Sequence, residues 1–133
     1  MTKTERAELF RDFLAQEGFQ PKLDGDGDVC FKAEGSLYFI ILDDDETFFR
    51  LAFANFWSID DERERGHVLQ ACAHATMRTK VAKVFPVEDN TWAAIEVFAS
   101  PPAAVLPVLT RSIMALQVAV QHFRSKMHEL ATA

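Results

Sequence analysis

Apolar positions change their spacing several times along the chain, and each change marks an element. From Thr4 to Glu17, Leu9, Phe10, Phe13 and Leu14 recur at helical spacing, while Glu5, Arg6, Glu8, Arg11 and Asp12 fill the outer face. This stretch predicts an amphipathic helix, with Gly18 as its stop. The period then falls to two. Gln20–Leu23 is a weak first strand, and Asp24-Gly25-Asp26-Gly27-Asp28 a tight polar turn whose glycines permit positive φ. In Val29–Glu34, Val29, Phe31 and Ala33 point one way and Cys30, Lys32 and Glu34 the other. After the turn at Glu34-Gly35-Ser36 comes the apolar strand Leu37–Leu42, then the acidic turn Asp43–Glu46, then a fourth strand over Phe48–Phe56. Short strands separated by turns at this spacing describe an antiparallel meander.

Helical spacing returns after Asp60 and Asp61, either of which can cap a helix whose first turn carries Glu62 and Glu64. Its expected buried stripe is Val68, Leu69, Cys72, Ala73, Thr76 and Met77, fading near Arg78–Lys80. Lys83–Glu88 and Thr91–Ala99 form a hairpin around Asp89-Asn90, supported by β-branched and aromatic residues. Ser100-Pro101-Pro102 breaks the chain, and Pro107 belongs near the first turn of the last helix, where proline is tolerated. Leu106, Leu109, Ile113, Leu116, Val120, Phe123, Met127 and Leu130 follow a 3-4 spacing along about 37 Å of helix. The expected fold is α+β, an antiparallel meander sheet with helices in the order α-ββββ-α-ββ-α. One domain covers residues 1–133, since no linker or repeat interrupts the pattern. The hairpins exclude a doubly wound parallel sheet.

Several strands are apolar on both faces. In Leu37–Leu42, Leu37, Phe39 and Ile41 share one face and Tyr38, Ile40 and Leu42 the other. In the fourth strand Phe49, Leu51, Phe53 and Trp57 take one phase, and Phe48 and Phe56 the opposite one. Trp92 and Phe98 oppose Ala93, Ile95 and Val97. A sheet with one solvated face alternates more cleanly, so something must cover the second face: helices, or a partner. The C-terminal seam poses the same choice, between a helix lying on the sheet and a coiled-coil partner.

Composition narrows the function classes. The 133 residues carry a formal charge of −6, with 12 Phe and 2 Trp. An acidic chain repels phosphate backbones and anionic bilayers, so neither nucleic acid nor membrane is the expected partner. The longest apolar run falls short of a membrane span. Cys30 and Cys72 sit among apolar neighbours without a CxxC pair, and with no signal peptide expected a reduced cytoplasmic pair is the expected reading, a disulfide between them the alternative.

Candidate chemistry is sparse. Asp24-x-Asp26-x-Asp28 begins like a calcium loop, but Val29 stands where such a loop turns on Gly, and Gly35 where it needs a bidentate Glu. A hairpin turn is the expected reading. The four acidic residues Asp43–Glu46 read as a solvated turn that discourages edge pairing. His67 and His74 lie about 10 Å apart along one helix, too far to share an ion, and His122 and His128 lack ligand spacing. GxSxG, GxGxxG and P-loop motifs are absent. No cofactor, metal or catalytic residue is expected, and the chain reads as a non-enzyme.

The layout resembles the YbjN-like proteins, which share a fold with the class I type III secretion chaperones. The resemblance is carried by Phe10–Gly18 with Phe19, the Asp26-x-Asp28 turn into Val29–Phe31, Leu37–Leu42, Glu62–Lys83 with Val84-Phe85, and Trp92–Phe98. It spans nearly the whole chain as order and pattern, without a short invariant motif. It implies a dimerising α+β domain with apolar patches that hold a client segment, or a regulator of sensory transduction or stress response. The leading expectation is therefore a cytoplasmic, homodimeric, chaperone-like or regulatory module that binds a partner protein segment on an apolar sheet face. Tyr38, Ile40, Phe48, Phe56 and Trp92 are the expected contacts. Strand addition at a free edge is the expected source of backbone bonds. The alternative is a small-molecule sensor with an apolar pocket between the sheet and the last helix.

Overall fold

Thr2 starts the first helix, α1 (Lys3–Gln16), with a reciprocal cap: its hydroxyl accepts from the Glu5 N–H, and the Glu5 carboxylate accepts from the Thr2 N–H. The computed structural model describes residues 1–133. Four strands follow, β1 (Lys22–Leu23), β2 (Val29–Ala33), β3 (Ser36–Ile40) and β4 (Phe48–Phe53). Next come α2 (Glu62–Arg78), β5 (Lys83–Val87), β6 (Asn90–Phe98), a 3-10 turn (Pro102–Val105) and α3 (Leu106–Thr132). The α+β class and the order α-ββββ-α-ββ-α are as expected. The six strands form one antiparallel sheet in the order β1-β2-β3-β4-β6-β5. The chain thus meanders through β4, crosses over by α2, and returns as a hairpin whose second strand pairs with β4.

All the helical cover lies on one side of the sheet. The covered face carries Val29 and Phe31 on β2, Tyr38 and Ile40 on β3, Phe49, Leu51 and Phe53 on β4, Val84 on β5, and Thr91, Ala93 and Ile95 on β6, every one buried. Phe10 of α1 meets Phe49 edge-on with ring centroids 5.4 Å apart, and Phe56 and Trp57 meet Phe123 of α3 at 5.1 and 5.6 Å. The expected α3 seam is core: Leu109, Ile113, Leu116, Val120, Phe123 and Met127 are buried. By length and composition α3 could cross a membrane, yet here its apolar side packs on the sheet and on α2. Pro107 stands in its first turn as expected.

Two helical expectations are corrected. Arg6, expected on the outer face of α1, is only 3% exposed; its Nη2 donates to the Asp43 carbonyl at 2.7 Å and ties the helix to the β3–β4 turn. On α2 the buried residues are Val68, Ala71, Cys72 and Ala75, whereas Leu69, Ala73 and Met77 face outward. Alanines let α2 approach its neighbours closely, and the larger side chains stay outside.

Candidate functional site

Strand alternation that buries one set of side chains must present the other set on the reverse face, and no helix lies there. The register defines that open face row by row. Lys22, Cys30, Phe39, Ala52, Ala94 and Lys83 lie across all six strands in one row. Arg50 pairs with Glu96 in the next row, and Phe48 with Phe98 beyond it. On the other side of the central row stand Lys32 opposite Leu37, and Phe85 opposite Trp92. Cys30, Ala52 and Ala94 are buried here by their larger neighbours but stand apart from the 29-residue core cluster. Phe98 is 77% exposed and Leu37 40%, while Phe39, Phe48, Phe85 and Trp92 are half-buried. The face is therefore apolar, rich in aromatics and without a second layer.

Its aromatics are held in place. Phe48 and Phe98 meet edge-to-face with centroids 5.9 Å apart, the Arg50 guanidinium lies 5.2 Å over the Phe48 ring, and the Lys83 ammonium 5.3 Å over Phe85. The Trp92 indole N–H donates to Asn55 Oδ1 at 3.0 Å. Arg50 and Lys83 share one carboxylate, Glu96; the Arg50 Nη2 contact is 2.9 Å and Lys83 closes the other side. Burial works to raise the Glu96 pKa, but the hydrogen bonds from Lys83 and Arg50 outweigh it and hold the carboxyl below its ordinary 4.5.

The five expected contact residues separate. Phe48 and Trp92 stand on the open face. Tyr38 and Ile40 are corrected: each is 0% exposed on the covered face, and neither can meet a partner there. Tyr38 stacks on Phe31, and burial pushes its phenol up to about 12, with Gln117 partly offsetting it. The hydroxyl finds no partner in good hydrogen-bonding geometry. Phe56 is corrected too. Asn55 takes φ 54 just beyond the end of β4, which interrupts the alternation and turns Phe56 inward onto Phe53 and Phe123. The residues that sequence reasoning passed over are Phe98, Phe39, Phe85 and the ion row; the alternating phase places them beside Phe48 and Trp92 once the covered face is known.

The β5 edge is closed to strand addition. The Val84 N–H points away from β6 and donates to Thr76 Oγ1 of α2 at 2.9 Å. Pro86, two residues on in the same outward phase, has no N–H to offer. On the opposite side β1 is two residues long and pairs Val29 and Cys30, leaving Phe31–Ala33 of β2 without an outer strand partner.

The other candidate groups serve the fold. Burial pushes the Cys72 thiol up to about 12, so it stays protonated and non-nucleophilic near neutrality. Cys30 and Cys72 are both free. Asp24, Asp26 and Asp28 bring ligand oxygens within 4.8 Å of one another. Asp24 Oδ1 accepts from the N–H groups of Asp26 and Asp28, and Asp28 Oδ1 from the Leu42 N–H, as in a side-chain-capped turn. The alternative expectation of an apolar pocket between sheet and last helix meets a filled interior, with Tyr38, Phe53, Phe56 and Phe123 in mutual contact. A cleft of about 520 Å³ lies instead between the start of α2 and the end of α3, lined mainly by polar residues including Asp60, Arg63, His67 and Arg124.

Comparison with known proteins shows where this architecture recurs. No family model and no curated protein matches the chain. Among solved structures, a chain in the structure of the HopA1-SchA chaperone-effector complex is similar, with a TM-score of 0.62 and 12% identity, over 95% of each chain. The α+β fold is shared along almost the full length of both chains.

Proposed function

We propose that this chain is a non-catalytic, chaperone-like or regulatory protein-binding module that holds an apolar segment of another protein against the open face of its sheet. The observation that carries the reading is the one-sided helical cover, which leaves Phe39, Phe48, Phe85, Trp92 and Phe98 on a face with no second layer. Apolar faces of this kind mark interaction surfaces. The fold shared with a chain of a chaperone–effector complex supports the same class of role. Side-chain burial, rather than strand addition, supplies the contact. The same reading takes the protein as one cytoplasmic domain acting as a homodimer. A separate surface suits self-association: Leu69, Ala73 and Met77 form an exposed i, i+4 stripe along α2.

The test compares proteins co-purifying from the native cell with wild type and with the Phe48→Ser/Phe98→Ser variant. A partner should drop by tenfold or more, about 1.4 kcal/mol, while the melting temperature stays within a few degrees. Undiminished recovery of every partner rules out the open face.

A further inference from the structure

The open face is cationic as well as apolar, because the carboxylates of this chain concentrate in its turns rather than in its strands. The chain as a whole is at −6. Yet within the strands Lys22, Lys32, Arg50 and Lys83 project on this face against the Glu96 carboxylate, with Asp24 and Asp28 in the same phase at the β1–β2 turn. Arg50 and Lys83 must share that carboxylate. Lys22 and Lys32 are exposed and join no ion pair. An acidic protein thus presents a cationic, aromatic face. Resting on the docking reading above, we infer that the segment held there is both apolar and acidic: an extended stretch of another protein with large apolar residues at its centre and Asp or Glu at both ends.

The geometry matches such a segment. The central row runs from Lys22 on β1 to Lys83 on β5, five strand spacings or about 24 Å. About seven extended residues cover that distance. Of the side chains that alternation turns toward the sheet, the central apolar ones would lie on Phe39 and between Phe48 and Trp92, and the terminal carboxylates would reach Lys22 and Lys83. A segment with basic residues would instead set like charges together, which discriminates strongly against it.

The same charges weigh against other occupants. Two copies of this face brought together would oppose Lys22, Lys32, Arg50 and Lys83 with their own images. A single-stranded nucleic acid would suit aromatics flanked by cations, but the face is bounded by carboxylates at both ends of its strands. Asp43, Asp44, Asp45 and Glu46 precede Phe48, and Glu88 and Asp89 lie at the β5–β6 turn beside Phe85 and Trp92. A phosphate chain leaving the face in either direction meets negative charge, whereas a peptide places its charges only at chosen positions.

Fluorescence anisotropy tests this with three labelled short peptides that have a Phe/Leu centre flanked at both ends by Glu, by Gln or by Lys, and with labelled oligothymidine. The Glu peptide should bind about tenfold or more tightly than the Lys peptide at low salt, with the difference narrowing as salt is raised. In Lys22→Glu/Lys32→Glu, two exposed positions outside any ion pair, that preference should shrink or reverse. Phe48→Ser/Phe98→Ser should weaken all three peptides together. Equal binding of the Glu and Lys peptides, or preference for the Lys peptide, overturns the acidic partner and leaves the docking reading standing. Oligothymidine binding more tightly than every peptide overturns it in favour of nucleic acid. Binding by none of the probes overturns the docking reading and this inference with it.

Discussion

At the residue scale, Val81 shows how local conformation is decided outside the hydrophobic pattern. It follows α2 with φ 59 and is 73% exposed, a left-handed conformation that a β-branched side chain resists. Val81→Gly should raise stability by about 1 kcal/mol, read as an increase in melting temperature; an unchanged or lower value would show that other contacts offset the strain. Sequence pattern carries no signal for such a position. Asn55 is a similar case: the fourth strand was legible through Phe53, and its expected extension to Phe56 failed because one left-handed residue reverses the phase. The assignment of Tyr38 and Ile40 to a partner failed for another reason. Alternation divides β3 into two faces correctly, but both are apolar, and which one is covered depends on the side to which distant helices fold.

At the element scale, α3 and α2 make opposite points. The α3 seam is built of large aliphatic and aromatic residues, and it was legible because those residues are also the buried ones. On α2 the buried residues include Ala71 and Ala75, while Leu69 and Met77 point outward, so weighting by size turned the expected stripe away from the core. The contact that matters between α2 and the sheet is polar. Thr76 accepts from the Val84 N–H and closes the β5 edge. Thr76→Val removes that acceptor while keeping the shape, and should cost about 1 kcal/mol. Its signature is faster hydrogen exchange at the Val84 amide than at its β5 neighbours. Uniform acceleration across β5 would mean a general loosening instead.

For the whole molecule, the order of elements and the α+β class were readable from hairpin spacing and helical periodicity, and the shared fold agrees with them. One-sided helical cover was not readable, because apolar strands look alike whether helices or a partner cover them. That arrangement separates two surfaces on opposite sides, a cationic aromatic sheet face and a helical layer that carries the exposed α2 stripe. Self-association through α2 would leave the sheet free for a partner. Light scattering should return about twice the 15.0 kDa chain mass, and Leu69→Asp/Met77→Asp should return the monomer without lowering the melting temperature by more than a few degrees. A wild-type monomer at all accessible concentrations would remove the dimer from the proposal.

The closed edge of β5 has a consequence for the protein in bulk. Cross-β assembly grows by templating at free backbone edges, and an aromatic sheet left bare is a hazard wherever such an edge accompanies it. Here the β5 edge ends in Thr76 and Pro86, and on the other side the two-residue β1 leaves only Phe31–Ala33 of β2 without an outer strand partner. Sticky side chains are thereby uncoupled from sticky backbone at β5. Contact with the apolar face therefore need not be accompanied by backbone pairing at β5.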